Sequence, residues 1–217
     1  GPDLQEASQW ERHVWFGFEV PFSEMVEPQD ERFKSWVERY IEGSWDVPGG
    51  PIDQLDVVVR SLNAITECTV GAPLFTTTSI RHLCFPSAEN NHRYHDAHSE
   101  AYKHLQDSLD RTTIVHLGAK LGITVKSGHQ KSVNALKEIL PANLHSAVLG
   151  PLDTVSSQRR LADHNLRPEP TAFPAFETFG RDVMAVVQGL SKLQEFLAVE
   201  LDVDIDSCKE RASSLSS

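Results

Sequence analysis

A chain of 217 residues, 40% hydrophobic and 24% charged, has room for one large domain or one domain with a small appendage, and its composition is that of a folded globular protein. The formal net charge of −11 argues against a surface that binds nucleic acid non-specifically, because that mode needs Lys and Arg to neutralise phosphates, yet leaves room for a local basic site. Cys68, Cys84 and Cys208 stand far apart with no CxxC or alternating Cys/His spacing, so neither a zinc knuckle nor a disulfide framework is indicated and they read as reduced thiols.

The opening Gly1-Pro2, without methionine, reads as the remnant of a cleaved tag. No leader pattern follows it, and no apolar run approaches the roughly 20 residues that span a bilayer, so no membrane partner and a cytoplasmic location are expected. Residues 13–20 alternate, with Val14, Phe16, Phe18 and Val20 on one side, and predict a short strand or extended aromatic arm. In residues 31–43, Phe33, Trp36, Val37 and Tyr40 predict a helix ending at Gly43. Pro48, Gly49, Gly50 and Pro51 in succession make the clearest break in the chain. Trp10, Trp15, Trp36 and Trp45 all precede it, as a small core sealing one end of the molecule or as a partner surface.

Beyond the break, Leu55, Val58, Val59, Leu62, Ile65 and Thr69 keep a 3.6-residue period up to Gly71 and predict a long core helix. Residues 73–91 read as irregular. Residues 99–121 resume helical spacing through Tyr102, Leu105, Leu109, Ile114, Val115 and Leu117, although the run Thr112-Thr113-Ile114-Val115 is rich in β-branched side chains. Ser132 opens another helical stretch that Pro141 stops; residues 142–149 form one more before Gly150-Pro151, and residues 152–164 a short helix before the loop Arg167-Pro168-Glu169-Pro170. From about Pro174 to Leu201 the residues Phe176, Phe179, Val183, Val186, Val187, Leu190, Leu193 and Leu197 trace one wide apolar stripe, the strongest helix of the chain. The fold class expected is all-α: an up-and-down helical bundle over residues 51–205, an extended or α+β appendage over 3–50, the tag remnant 1–2 and a C-terminal tail over 206–217 whose end, 213–217, is frayed.

Arg159 and His164 lie five residues apart where the penultimate helix of that bundle ends. An arginine fork grips two phosphate oxygens, and a histidine titrating near neutrality moves protons to and from a ribose hydroxyl without a metal. The helix order from Pro51 onward, with R-x4-H ahead of a long last helix, resembles the HEPN superfamily of helical domains, which includes metal-independent ribonucleases and non-catalytic members. Where that family often has Asn, Asp or His after the arginine, this chain has Arg160. The resemblance implies RNA as substrate, no cofactor, and a cleft between two protomers of a homodimer. There Arg159 stabilises the scissile phosphate, His164 acts as general acid or base, and Arg160, Asn165 and Arg167 hold the substrate. A toxin or effector of a bacterial defence or toxin–antitoxin system, with an antitoxin or larger assembly as partner, is the setting it suggests.

R-x4-H also occurs as Arg93–His98 and Arg111–His116, and basic residues in a last helical turn also arise simply because they oppose the helix dipole. Arg111 is expected to pair with Asp107 one turn before it in the same helix. A second function class is therefore a non-catalytic helical interaction domain of a larger protein. A third is a metal-dependent phosphohydrolase on His92, His95, Asp96 and His98, although steps of three drift around a helix and a solvated histidine-rich loop is the default for that segment. No P-loop, dinucleotide-binding, HExxH or GxSxG motif is present.

Overall fold

A computed structural model describes residues 49–77, 80, 83–126, 131–163 and 170–215, without the side chains of 163 and 211–215; all of these belong to one compact unit, Pro48–Ser217. The expected strand at 13–20, the helix at 31–43 and the four tryptophans lie outside the described residues. The described part is mostly helical, with two isolated β-bridges and no strand among those residues.

The first helix, α1 (Pro51–Val70), starts with proline in its first turn, where a missing N–H costs nothing, and ends at Gly71 in the left-handed region with φ 78°. Leu55, Val58, Val59, Leu62 and Ile65 are at most 4% exposed, so the predicted stripe is the buried one, and each such side chain contributes about 1.5–3 kcal/mol of transfer free energy. The irregular segment after it is pinned to α1 by two polar side chains. Asn63 accepts from Phe75 N at 2.8 Å and donates to Phe75 O at 3.0 Å. Buried Asp56 accepts from Ile80 N at 3.1 Å and pairs with Arg60 at 2.9 Å. Leu74, Phe75, Ile80 and Leu83 of this segment enter the core as fully as helix residues do.

The segment expected as a solvated histidine-rich loop is instead a helix, α2 (Asn91–Tyr102), which runs into a π-helical turn at Lys103–Asp107. Asn90 caps it by accepting from Arg93 N at 2.9 Å. Tyr94, Ala97, His98, Ala101, Tyr102 and Leu105 form its buried stripe, a 3.6-residue period carried by polar aromatics that a hydropathy reading passes over. The single helix expected over 99–121 is divided. The chain turns at Ser108, and α3 (Arg111–Lys120) starts afresh under the Asp110 cap.

Next come α4 (Ser132–Ile139), stopped before Pro141 as expected, and α5 (Ala142–Asp163). The two helices expected on either side of Gly150-Pro151 are this one 22-residue helix with Pro151 inside it. Proline removes the hydrogen bond to the carbonyl four residues back, here Ala147. That carbonyl lies against Gly189, where an added Cβ would stand 2.6 Å from it. The lost bond thus falls where α5 crosses α6 (Ala175–Glu200), whose bounds match the predicted last stripe within one residue at each end. After it, the chain expected as a tail forms α7 (Ile205–Leu215), opened by Asp204, which accepts from Ser207 N at 3.0 Å and Ser207 Oγ at 2.6 Å.

Helix α1 packs on α3, α6 and α7; α2 packs on α5 and α6; α5 also packs on α6, and the core runs between these helices. The entry to α6 is tied to the start of α2 by the Asn90–Ala172 bridge and by Thr171 N donating to Asn91 Oδ1 at 3.0 Å. This arrangement sets the last turns of α5 along α2.

Candidate functional site

On α5 the inward residues Leu152, Val155 and Ala162 are at most 5% exposed, and Arg159 falls on the same stripe while Arg160 faces solvent. The Arg159 guanidinium lies over the Tyr102 ring, 4.0 Å from its centroid. A cation so placed gains about 0.5–2 kcal/mol. This contact between α5 and α2 gives the arginine a structural role whatever else it does. His164, Asn165 and Arg167 lie outside the described residues.

Beside this seam is an open cleft of about 410 Å³ between residues 84–87 and α2. Phe85 and Pro86 supply an apolar wall, Ala97 and Ala162 leave space, and Arg93, Asp96 and Glu100 bring charge. Phe85 is held from behind by Phe176, stacked at 6.5 Å, and by the edge of Phe179 at 5.4 Å. Arg93 approaches Asp96 at 3.5 Å and Lys103 approaches Glu100 at 2.8 Å; Arg93, Lys103 and Glu100 are exposed and Asp96 is half-buried. Sequence reasoning missed residues 84–87, since a helical period cannot show an irregular segment folding onto a helix face.

The opposite face of α2 carries a buried polar cluster. His98, 0% exposed, has Nδ1 3.0 Å from Tyr94 O and Nε2 3.2 Å from Asp182 Oδ2. A carbonyl only accepts, so Nδ1 is the protonated nitrogen. Nε2 reaches the carboxylate without the alignment of a directed hydrogen bond, and the tighter bond to Asp182 is the one the Tyr94 hydroxyl donates at 2.6 Å. Burial alone would raise the Asp182 carboxyl; His98, the Tyr94 hydroxyl and the charge of Arg181 outweigh it and hold the group below its usual value. Burial, then the hydrogen bond to Asp182 and its charge, push the Tyr94 phenol above its ordinary range against the Arg181 charge. The cluster ties α2 to α6 and is sealed by Phe179 and Phe173. Asp182 was not singled out from the sequence; its one signal was a carboxylate bordering the apolar stripe at Val183.

The alternative metal set is not brought together. His98 turns inward to Asp182 and Asp96 turns outward to Arg93, and among the described residues no group of three or more His, Cys, Asp or Glu side chains could share an ion. Arg111 does not share a continuous helix with Asp107: Asp107 closes the π turn and Arg111 opens α3 after the Asp110 cap, so the expected intrahelical pairing does not have its geometry. His116 is exposed on α3. No helix among the described residues is long and apolar enough to cross a membrane. Comparison of the chain with protein-family models, with curated proteins and with solved structures finds no match.

Proposed function

We propose that the chain is a HEPN-like, metal-independent endoribonuclease that acts as a homodimer, with Arg159 and His164 as its working pair and no cofactor. The observation that carries this reading is the position of Arg159. Arg159 sits in the last turns of α5, which ends at Asp163, one residue before His164, and Ala162 between them lines an open cleft. Arg159 would neutralise charge accumulating on the scissile phosphate, His164 would move the proton of the 2′-hydroxyl or leaving oxygen, and Arg160, Asn165 and Arg167 would hold the strand. In this reading the protein serves as a toxin or defence effector in the cytoplasm, restrained by a partner.

The test is cleavage of a mixed RNA pool in EDTA by the wild-type chain beside His164→Ala, Arg159→Ala and Arg159→Lys. Lysine keeps the charge over Tyr102 but loses the planar fork. Loss of a robust activity in all three, with the Arg159→Lys protein as stable as wild type, is the expected result. A folded, dimeric wild type without activity would overturn it. One observation favours a second reading: the Arg159 side chain already has a structural use over Tyr102. In a non-catalytic interaction domain, Arg159→Ala would lower thermal stability while no RNA is cut by any form of the protein.

A further inference from the structure

Cys68 and Cys208 are 140 positions apart in the chain, yet the Cys68 Sγ stands 3.8 Å from the Cys208 carbonyl oxygen. Two helix ends bring them together. Cys68 is half-buried in the last turn of α1, ahead of the Gly71 cap. After α6 the chain turns with Asp202 in the left-handed region at φ 51°, Val203 N donates to Ala198 O at 3.0 Å, and Asp204 caps α7. Helix α7 then packs on α1, with Cys208 in its first turn and 5% exposed. Of residues 205–210, Cys208 is buried and Ile205 half-buried, while Asp206, Ser207, Lys209 and Glu210 are exposed. A helix start held by so little apolar surface opens at low cost.

We propose that Cys68 and Cys208 form a reversible disulfide that fastens α7 to the last turn of α1. A carbonyl oxygen lies about 3 Å from its own Cβ, and a χ1 rotation carries a sulfur through about 3 Å. Rotation of the two side chains, with the give of a lightly held helix start, therefore brings the sulfurs to bonding distance. Exchange needs each sulfur to reach the next, not to lack hydrogen bonds, because a thiol is a weak donor and acceptor whose contacts break at little cost. The oxidant is a low-molecular-weight disulfide. The Cys68 thiolate attacks one of its sulfurs, the small S–S bond breaks, and a mixed disulfide on Cys68 forms as one small thiolate leaves. The Cys208 thiolate then attacks the Cys68 Sγ and expels the second small thiolate. The two protons of the protein thiols end on the two small thiols, and the two electrons the protein loses reduce the small disulfide. Exposure sets the order: half-buried Cys68 meets the oxidant, and buried Cys208 resolves. A cysteine that only fills space as a small hydrophobe accounts for the burial of Cys208 but not for a second thiol set against it.

The experiment places the reduced full chain in native buffer with mixtures of oxidised and reduced glutathione, followed by intact mass, non-reducing peptide mapping and amide hydrogen exchange. Cys84, exposed at the cleft beside α2, competes for the oxidant, so Cys84→Ser serves as the reference chain. The reference is expected to lose two hydrogens and to yield a linked Cys68–Cys208 peptide that dithiothreitol splits. Cys208→Ala, which keeps a small apolar group at the buried position, should stop at the mixed disulfide on Cys68. Cys68→Ser should take up glutathione at least about ten-fold more slowly than the reference. Oxidation should slow exchange in α7 at least about ten-fold and leave α4 unchanged. The link in the reference is read with both cysteines in place, so a variant that loosens α7 does not blunt the test. A reference chain that stays reduced or stops at a mixed disulfide would overturn the pair. So would a link that forms only in denaturant, or one that leaves exchange in α7 unchanged.

Discussion

Individual atoms decide questions that residue type leaves open. Glycine to alanine in a helix interior gains about 1 kcal/mol of propensity, yet two glycines of α6 should answer with opposite signs. A Cβ at Gly180 would meet Phe85 at 3.5 Å, ordinary contact, whereas one at Gly189 would stand 2.6 Å from the Ala147 carbonyl and 3.3 Å from Val148 Cα. Gly180→Ala is expected to stabilise the protein in urea titrations, and Gly189→Ala to destabilise it by about 1–2 kcal/mol, because forcing α5 away from α6 exceeds the propensity gain. A Gly189→Ala protein as stable as wild type would refute the close crossing. Asp182 gives a second residue-scale expectation. Its carboxyl is held below its usual value, so its contribution is present above the unfolded value near 3.9 and is lost as pH falls through the lower folded value. Thermal melts between pH 7 and 3 should therefore show a smaller acid loss in Asp182→Asn than in wild type, the remaining slope belonging to carboxylates such as Asp110 and Asp204, which are also lowered. Tyr94, raised, acts on the other side: its contribution holds below about pH 10 and falls as pH climbs toward the folded value, an alkaline loss that Tyr94→Phe should remove. Neither partner of this cluster was legible from the sequence as a pair, since 88 positions separate Tyr94 from Asp182 and no local pattern joins them.

At the scale of elements, α1 and α6 were legible because their apolar residues keep one period from end to end, with Pro51 and Gly71 bounding α1 and Pro174 opening α6. The misread elements fail for separate physical reasons. Helix α5 was cut at Gly150-Pro151 because proline is read as a stop, whereas the helix runs through Pro151 and crosses α6 closely at Gly189. Helix α2 was passed over because its buried face is built of Tyr94, His98 and Tyr102 rather than aliphatics. Helix α7 was taken for a tail because its sequence is polar and serine-rich, although its own Cys208 is buried, 5% exposed. The division between α2 and α3 had a readable signal, the Asp110 carboxylate ahead of the β-branched run. Asp110 accepts from Thr113 N at 2.8 Å, Thr113 Oγ1 at 2.6 Å and Thr112 N at 3.3 Å. Removing a cap of this kind costs about 1–2 kcal/mol. Asp110→Ala should lower stability by that amount and speed hydrogen exchange in the first turn of α3 before any other helix, while Asp110→Asn, which keeps an acceptor, should lose less. Uniform acceleration across all helices would mean that α3 has no separate local opening and that the cap serves the whole fold.

For the whole molecule the governing quantity is charge. With a net −11, RNA is repelled by most of the surface, so any binding must come from a few cations in one place. Arg159, Arg160 and Arg167 are the cations the proposal assigns to the strand in each protomer. A single-stranded ligand releases counterions with a slope of about −0.7 per phosphate neutralised, so a single protomer would give a slope near −2 in a plot of log affinity against log salt, and a two-fold pair sharing one strand a slope near −4. The cleavage-defective His164→Ala chain with a labelled RNA, followed by anisotropy from about 50 to 300 mM KCl, reads this slope directly. Arg160→Ala should flatten it by about 0.7 if one protomer binds and by about twice that if both do, a difference that also reports whether the dimer is the binding unit. A slope near zero would leave no role for these arginines on the strand and return Arg159 to its place over Tyr102. A slope far steeper than −4 would require more cations than the proposed site holds and would shift RNA contact to another surface.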